Sequence, residues 1–311
     1  MISDLITPAV LIGIASSGIR LATPYLYAAI GETFSQLSGV LNLGVDGIML
    51  MGAYAGFYTT FRTGNPWLGL LTAIVVGGLM GLSMAFISVT LQAVQGISGI
   101  GVYLFGLGMS DLLFKKTLGT VETVSGFSPI HIPFLSEIPV LGTIFFQHNI
   151  LVYGAYILVP IATYILNKTT WGLKIKAVGQ NPAAADSLGV SVAGVRYITV
   201  TLGGILSGIA GASLSIALLN VFQQNLTTGM GFIAVALVYF GGWRPSGVLL
   251  GSLLFSVVNA LQVWVQVLGI PIPADFAIMM PYVLTILALI FAVRKVEQPS
   301  SLTKPFERGQ A

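Results

Sequence analysis

The chain has no cysteine and very few charged residues. Its 311 residues include 13 Lys and Arg, 10 Asp and Glu, and two His. Without cysteine, the chain can form no disulfide and hold no metal through thiolate ligands. Charged residues make up 7% of the sequence and hydrophobic residues 55%, against roughly 25% charged residues in soluble domains. This composition indicates a polytopic membrane protein with room for about eight to ten helices of roughly 20 residues each.

Several functional signatures are also missing. The sequence contains no Gly-x-x-x-x-Gly-Lys-Ser/Thr loop, so the chain does not bind ATP by that device. His-Glu-x-x-His and Gly-x-Ser-x-Gly are absent too, which removes the common signatures of intramembrane hydrolases. The formal net charge of +3 includes no basic cluster dense enough for nucleic acid. We therefore expect a chain that is not an enzyme, binds no cofactor or metal itself, and does not bind nucleic acid.

Apolar runs separated by Gly, Pro and polar clusters predict an all-α bundle of about nine membrane spans. The predicted spans are 8–30, 38–61, 67–91, 96–116, 149–166, 195–218, 228–242, 246–267 and 275–293. Residues 1–296 then form one transmembrane domain, and residues 297–311 form a polar cytoplasmic tail that we expect to fray. The longest external connection, 117–148, is expected to pack as a loop with a short surface helix. Its functional alternative is a contact surface for a substrate-delivery protein.

The Lys and Arg residues predict the orientation of the chain. If the polar loop 168–196 is cytoplasmic, alternation of the spans places nine of the 13 cations inside and three outside. The inner cations are Lys168, Lys174, Lys176, Arg196, Arg244, Arg294, Lys295, Lys304 and Arg308, and the outer ones are Arg62, Lys115 and Lys116. We therefore expect the N-terminus outside and the C-terminus in the cytoplasm.

The loop 168–196 contains the signals of a short helix. Asn181 is a suitable N-cap, Pro182 takes the first helical position, and Gly189 is a stop signal. Only about two turns fit between cap and stop, too few for a helix that is stable alone in water. Such a helix needs a partner surface. The sequence therefore predicts a docking helix through which another subunit drives transport.

Polar residues and repeated glycines share the second predicted span. Asn42 and Asp46 are four positions apart, so one helix face carries both. A carboxylate at membrane depth costs several kcal/mol unless it faces a partner, a cavity or water, and glycines allow close packing of helices. Three interpretations stay open. Asp46 locks a broken helix through backbone amides, or it lines a substrate pathway with Asn42, or it relays protons.

Amide side chains supply the other pathway candidates. Asn259, Gln262 and Gln266 share one helical stripe, and Gln95 precedes the fourth span. Amides recognise neutral polar ligands through both donors and acceptors. Because no intramembrane basic cluster faces them, a strongly anionic substrate is disfavoured. The predicted substrate-pathway residues are Asn42, Asp46, Gln95, Asn259 and Gln262; hydrogen bonding between helices is the alternative role for the amides.

Three longer segments resemble a known family. Gly-Leu-Lys-Ile-Lys-Ala-Val-Gly-Gln-Asn-Pro-Ala-Ala-Ala (172–185) is similar to the coupling segment of ABC importer permeases in the ribose and branched-chain amino acid superfamily. Leu-Asn-Leu-Gly-Val-Asp-Gly-Ile-Met-Leu-Met-Gly-Ala (41–53) and Gly-Met-Gly-Phe-Ile-Ala-Val-Ala-Leu (229–237) resemble its nucleoside and simple-sugar branch. In the general signature Glu-Ala-Ala-x-x-x-Gly, Ala183 replaces the Glu and the later Pro is missing.

The resemblance implies one permease chain of a heteromeric importer in the bacterial cell (inner) membrane. Its implied partners are a second related permease, a cytoplasmic ATPase that binds ATP and Mg, and an extracytoplasmic binding lipoprotein of the basic-membrane-protein type. The residues implied to contact the ATPase are Gly179, Gln180, Asn181, Pro182, Ala183, Ala184, Ala185, Asp186, Leu188 and Gly189. The implied substrate is a purine or pyrimidine nucleoside, with riboflavin or a simple sugar as alternatives.

Two other classes of function compete with this interpretation. An ion-coupled secondary carrier would bind its ion at Asp46 and Glu32, and it would support uptake by this chain alone that collapses with an ionophore. It leaves the docking helix unexplained. A membrane scaffold or enzyme without transport activity is the second competitor, and the sequence contains no catalytic grouping that supports it.

Overall fold

The computed structural model describes residues 7–269, 276, 279, 280, 283, 286, 287 and 298–308. Its α-helices are α1 (Pro8–Leu37), α2 (Val45–Thr63), α3 (Pro66–Ala85), α4 (Gln95–Thr117), α5 (Leu141–Phe145), α6 (Ile150–Lys168), α7 (Thr170–Gln180), α8 (Pro182–Ser187), α9 (Val192–Ser213), α10 (Met230–Phe240) and α11 (Pro245–Val267). Helices α3 and α9 each continue into one π-helical turn, over Phe86–Thr90 and Leu214–Leu218. Two short antiparallel strands, β1 (Ile130–His131) and β2 (Gln147–His148), lie in the long connection between α4 and α6.

The all-α membrane bundle is confirmed, but the count of nine spans is not reproduced. Six described helices are long and apolar enough to cross a membrane, namely α1, α3, α4, α6, α9 and α11 with their π-helical extensions. The predicted span 38–61 is wrong at its start, because α2 begins only at Val45. Helix α2 is also less apolar than the six helices and is not counted among them. The predicted span 228–242 corresponds to α10, an apolar helix shorter than a membrane crossing. The predicted span 275–293 lies largely outside the described residues.

Helices α2, α3 and α9 pack on one another where glycines bring their backbones into contact. A Cβ atom on Gly52 of α2 would lie 2.6 Å from the Cα atom of Gly208 on α9. A Cβ atom on Gly208 would overlap the carbonyl oxygen of Ala73 on α3. Without side chains at these positions, the helices approach closely enough for extensive van der Waals contact, which drives helix association in membranes.

We expect Gly208→Ala to destabilise the bundle by about 1–3 kcal/mol, the usual cost of overpacking a tight core. Gly101→Ala is the matched control, because α4 has open space around that position and alanine favours a helix over glycine. Thermal unfolding of the two detergent-purified variants measures the difference. Equal unfolding temperatures would contradict the close contact of Gly208 with α3.

The C-terminal tail is ordered against the bundle, so the expectation that it frays is wrong for residues 298–308. Ser301 and Leu302 are buried. The backbone amide of Ser301 donates to the Gly179 carbonyl at 2.9 Å, and that of Thr303 donates to the Gly39 carbonyl at 3.1 Å. The tail is held because its amides meet free carbonyl groups near the ends of α7 and α1.

Candidate functional site

The predicted docking loop folds into two helices that meet at Asn181. The Asn181 Oδ1 atom accepts a hydrogen bond from the Ala184 amide at 3.0 Å and caps α8. Gly189 follows α8 with φ of +82°, the left-handed conformation expected after a helix end. The prediction of a single short helix was incomplete, because Thr170–Gln180 is also helical. Thr169 caps this second helix by accepting from the Gly172 amide at 3.2 Å.

The residues predicted to contact an ATPase divide into a buried and an exposed set. Gly179 is buried against the end of α1, where a Cβ atom would overlap the Leu37 carbonyl oxygen. Ala185 is buried as well. The exposed positions, available to a partner, are Gln180, Asn181, Ala183, Ala184, Leu188 and Gly189, with Pro182 and Asp186 partly buried. Leu188, 84% exposed, is the largest apolar side chain of this surface.

The segment between α1 and α2, which we call the α1–α2 turn (residues 38–44), is fixed by buried polar side chains. Glu32 Oε1 accepts from the Asn42 amide at 3.0 Å and from Gln36 Nε2 at 3.0 Å. Gln95 Oε1 accepts from the Leu41 amide at 2.8 Å. Asn42 and Gln95 are therefore brought to the same turn. Glu32 follows the predicted first span 8–30, but it lies within the longer α1 and is buried.

Asp46 joins the N-terminal ends of two helices. It lies in the first turn of α2, and its carboxylate accepts from the Gly231 amide of α10 at 2.8 Å and from Thr227 Oγ1 at 3.0 Å. A negative charge is favoured at a helix N-terminus, and here one carboxylate serves two of them. The contacts match the interpretation in which Asp46 locks broken helices. Gly231 also packs directly on the Asp46 backbone, which brings residues 229–237 against residues 41–53.

Asn259 and Gln262 lie away from this cluster. On α11, Trp264 packs against Gly13 and Val257 packs against Gly18, both in the first half of α1. The α1–α2 turn follows the far end of α1, which at 1.5 Å per residue is roughly 30–35 Å further on. Both amide side chains are half-buried and make no hydrogen bond within the described part of the chain. The five predicted pathway residues therefore do not form one site.

Two residues of this region were not anticipated. Trp243 Nε1 donates to Gln36 Oε1 at 2.8 Å, which ties the end of α10 to α1. Arg196 donates from Nε to the Ser38 carbonyl at 3.1 Å. Glu32 and Gln36 are four positions apart in an apolar helix, so they lie on one face of it. That spacing was a signal that Gln36 needs polar partners, but it did not point to Trp243. Arg196 was counted only as a loop cation.

The opposite end of the bundle carries the 117–148 connection. Ile130 pairs with His148, and His131 pairs with Gln147. Side chains alternate between the two faces of a strand pair, so the two histidines point to opposite faces and share no ligand. Burial lowers the pKa of His148. Among the described residues, no group of three or more His, Asp or Glu side chains could hold a metal ion.

Comparison with known families agrees with this architecture. A family model described as "Branched-chain amino acid transport system / permease component" matches residues 14–289. The chain belongs to this permease family. The match includes the α1–α2 turn, Asp46 and the whole segment α7–α8. No solved structure matches the permease.

The permease is similar over nearly its whole length to proteins named as ABC transporter permeases. It is 34% identical to the guanosine ABC transporter permease protein NupQ of Bacillus subtilis, over 93% of this chain and 94% of the relative. It is 35% identical to the nucleoside ABC transporter permease protein NupC of Lactococcus lactis, over 90% of this chain and 92% of the relative. A protein of Haloferax volcanii, provisionally named as the glucose ABC transporter permease TsgC13, is 36% identical over 95% of this chain and 98% of the relative.

The two bacterial species each contain a second, less similar permease. The permease is 25% identical to the guanosine ABC transporter permease protein NupP of Bacillus subtilis. It is 26% identical to the nucleoside ABC transporter permease protein NupB of Lactococcus lactis. The relatives thus include two permeases of the same named specificity in each species, and this chain is more similar to one permease of each pair than to the other.

Proposed function

We propose that the permease is one of two different membrane subunits of an ATP-driven importer for nucleosides. The observation that carries the proposal is its similarity, at 34–35% identity over at least 90% of the chain, to two permeases named for guanosine and nucleosides. The unequal similarity to the two permeases of each species supports a heterodimer with a second, related chain. The subunit itself hydrolyses no ATP in this proposal; a separate ATPase binds ATP and Mg.

The exposed surface of α8 receives the ATPase. Helix α8 has only six residues, and its outer side exposes small residues together with Leu188. A six-residue helix transmits force only if its other side is fixed. Ala185 is buried on that other side, and Gly179 of the adjoining α7 is buried against the end of α1. ATP binding and hydrolysis thereby move the inner ends of the bundle helices.

Asp46 is the pivot of the transmembrane movement in this proposal. Helices α2 and α10 begin at the same carboxylate and extend away from it, an arrangement found in transporters whose broken helices meet near their substrate site. Substrate passes between this chain and its partner permease, close to Asn42, Asp46 and Gln95. The polar side chains that bond around residues 41–46 are two amides, one hydroxyl and the carboxylates of Glu32 and Asp46, which fits a neutral nucleoside better than a phosphorylated substrate.

An extracytoplasmic binding lipoprotein supplies the substrate to the end that carries the 117–148 connection. This end exposes apolar side chains, among them Phe134 and Leu141. The opposite end gathers the α7–α8 segment, Arg244 and the C-terminal tail. The proposed orientation has the first end outside and the second in the cytoplasm, with the N-terminus outside.

A ligand screen on the cognate binding lipoprotein tests the substrate class. Guanosine, uridine, glucose and riboflavin are titrated calorimetrically against the purified lipoprotein. We expect one or both nucleosides to bind at least about 100-fold more tightly than glucose, a difference of roughly 2.7 kcal/mol. Glucose is the competing candidate because of the similarity to TsgC13. Preference for glucose or riboflavin would overturn the nucleoside assignment without touching the permease assignment.

A further inference from the structure

The C-terminal residues 299–308, which we call the C-terminal strap, bind the segment α7–α8. Ser301 Oγ donates to the Gly179 carbonyl at 2.7 Å, and Ser300 Oγ donates to Gln180 Oε1 at 2.8 Å. Arg308 forms an ion pair with Asp186 of α8 at 2.8 Å. The Arg308 side chain is largely exposed, so this ion pair contributes little to the stability of the contact between the strap and α8. The buried Ser301 is therefore the principal anchor to the coupling segment.

The same strap binds the membrane bundle on its other side. The Thr303 amide donates to the Gly39 carbonyl of the α1–α2 turn at 3.1 Å. Gln92 Nε2, just before α4, donates to the Phe306 carbonyl at 3.2 Å. The strap thus connects the proposed ATPase-binding segment to the turn that Gln95 also holds.

Arg196 is the buried centre of this connection. It is 2% exposed, and it donates from Nε to the Ser38 carbonyl and from Nη1 to the Lys304 carbonyl, each at 3.1 Å. No carboxylate in the described part of the chain pairs with it, and its Nη2 atom lacks a partner there. A buried, unpaired charge is costly for stability. Its planar fork of donors joins the Ser38 and Lys304 carbonyls, beside the hydrogen bond between Thr303 and Gly39.

We propose that the C-terminal strap transmits movement from α7–α8 to the α1–α2 turn, with Arg196 as its positioning residue. The inference rests on the proposed function, because it needs an ATPase that displaces α8. When α8 moves, Ser301 follows Gly179, and the strap carries the Gly39 carbonyl and Arg196 with it. Movement then reaches the turn that precedes Asp46. Without the strap, α8 keeps its exposed docking surface but loses one connection to that turn.

The test compares a deletion of residues 299–311 with a deletion of residues 309–311, which leaves every strap contact in place. Both are assembled with the partner permease, ATPase and lipoprotein in proteoliposomes. The measured quantities are ATPase co-purification and tritiated substrate taken up per ATP hydrolysed, with the best substrate among guanosine, uridine, glucose and riboflavin. We expect the longer deletion to retain the ATPase and to lower uptake per ATP about 10-fold, within the range of coupling between sites.

Arg196→Met provides a second variant in case the longer deletion does not assemble. Arg196→Met keeps a side chain of similar length and removes an unpaired buried charge, which is costly for stability, and it breaks both Arg196 contacts. It should also lower uptake per ATP while the ATPase stays bound. Unchanged uptake per ATP overturns the strap proposal, and so does loss of ATPase binding, which would make the strap a docking surface. Failure of the proposed function is distinct, since unmodified complexes would then take up none of the four compounds in an ATP-dependent way, or would prefer glucose or riboflavin to both nucleosides.

Discussion

Leu188→Asp is expected to release the ATPase from the permease and to reduce ATP-dependent uptake at least about 100-fold. Leu188 is the largest exposed apolar side chain on the α8 surface, so docking of the ATPase would cover it. A carboxylate buried there without a partner costs several kcal/mol. The substitution leaves the bundle intact, because the side chain is 84% exposed and packs on nothing inside it. ATPase co-purification with the tagged permease measures the effect directly.

Phe134→Asp is the matched control for this experiment. Phe134 is equally exposed, at 85%, but lies in the 117–148 connection at the opposite end of the bundle. We expect this variant to retain the ATPase fully. If Leu188→Asp retains the ATPase as well, the assignment of α8 as the coupling helix is wrong. If Phe134→Asp alone releases it, the orientation of the chain is reversed.

Asp46→Ala is expected to destabilise the permease by about 3 kcal/mol. The substitution leaves the Gly231 amide and the Thr227 hydroxyl without their acceptor, and hydrogen bonds to a charged group are worth about 1.5–3 kcal/mol each. It also removes the negative charge from the N-termini of α2 and α10. Thermal unfolding in detergent, with and without the partner permease, measures the loss.

Asp46→Asn separates the three roles considered for this residue. Its amide oxygen can still accept from Gly231, so a locking role predicts a smaller loss of stability than in Asp46→Ala, with nearly normal uptake. A substrate-pathway role predicts normal stability with a raised KM for uptake. A proton relay predicts normal stability with uptake abolished, since an amide cannot exchange the proton. A large loss of stability in Asp46→Asn would contradict the locking geometry.

The sequence predicted the ends of a helix where they depend on neighbouring residues alone. Asn181, Pro182 and Gly189 define the start and end of α8 because capping and the left-handed stop involve neighbouring residues only. Helix α7 was missed because its lysines read as a polar loop, whereas its buried Ile175 and Val178 are spaced as in an amphipathic helix.

Contacts between distant parts of the chain could not be predicted in this way. Ser301 bonds to Gly179, more than 100 positions away, and nothing in the polar tail distinguishes it from a solvated one. Asn259 and Gln262 do share a helix, but the helical stripe does not reveal which neighbour it faces. Asp46 was recognised as needing a partner, yet the partner, Gly231, became apparent only when α10 was placed beside α2.

The most direct test of the account is uptake by the reconstituted complex in proteoliposomes. The permease, its partner permease and the ATPase are incorporated together, and the lipoprotein is added with tritiated guanosine or uridine. We predict uptake that requires ATP and the ATPase subunit and that persists in the presence of a protonophore and a sodium ionophore. Uptake by the permease alone, without ATP, that collapses when either ionophore is added would contradict the account and identify an ion-coupled carrier.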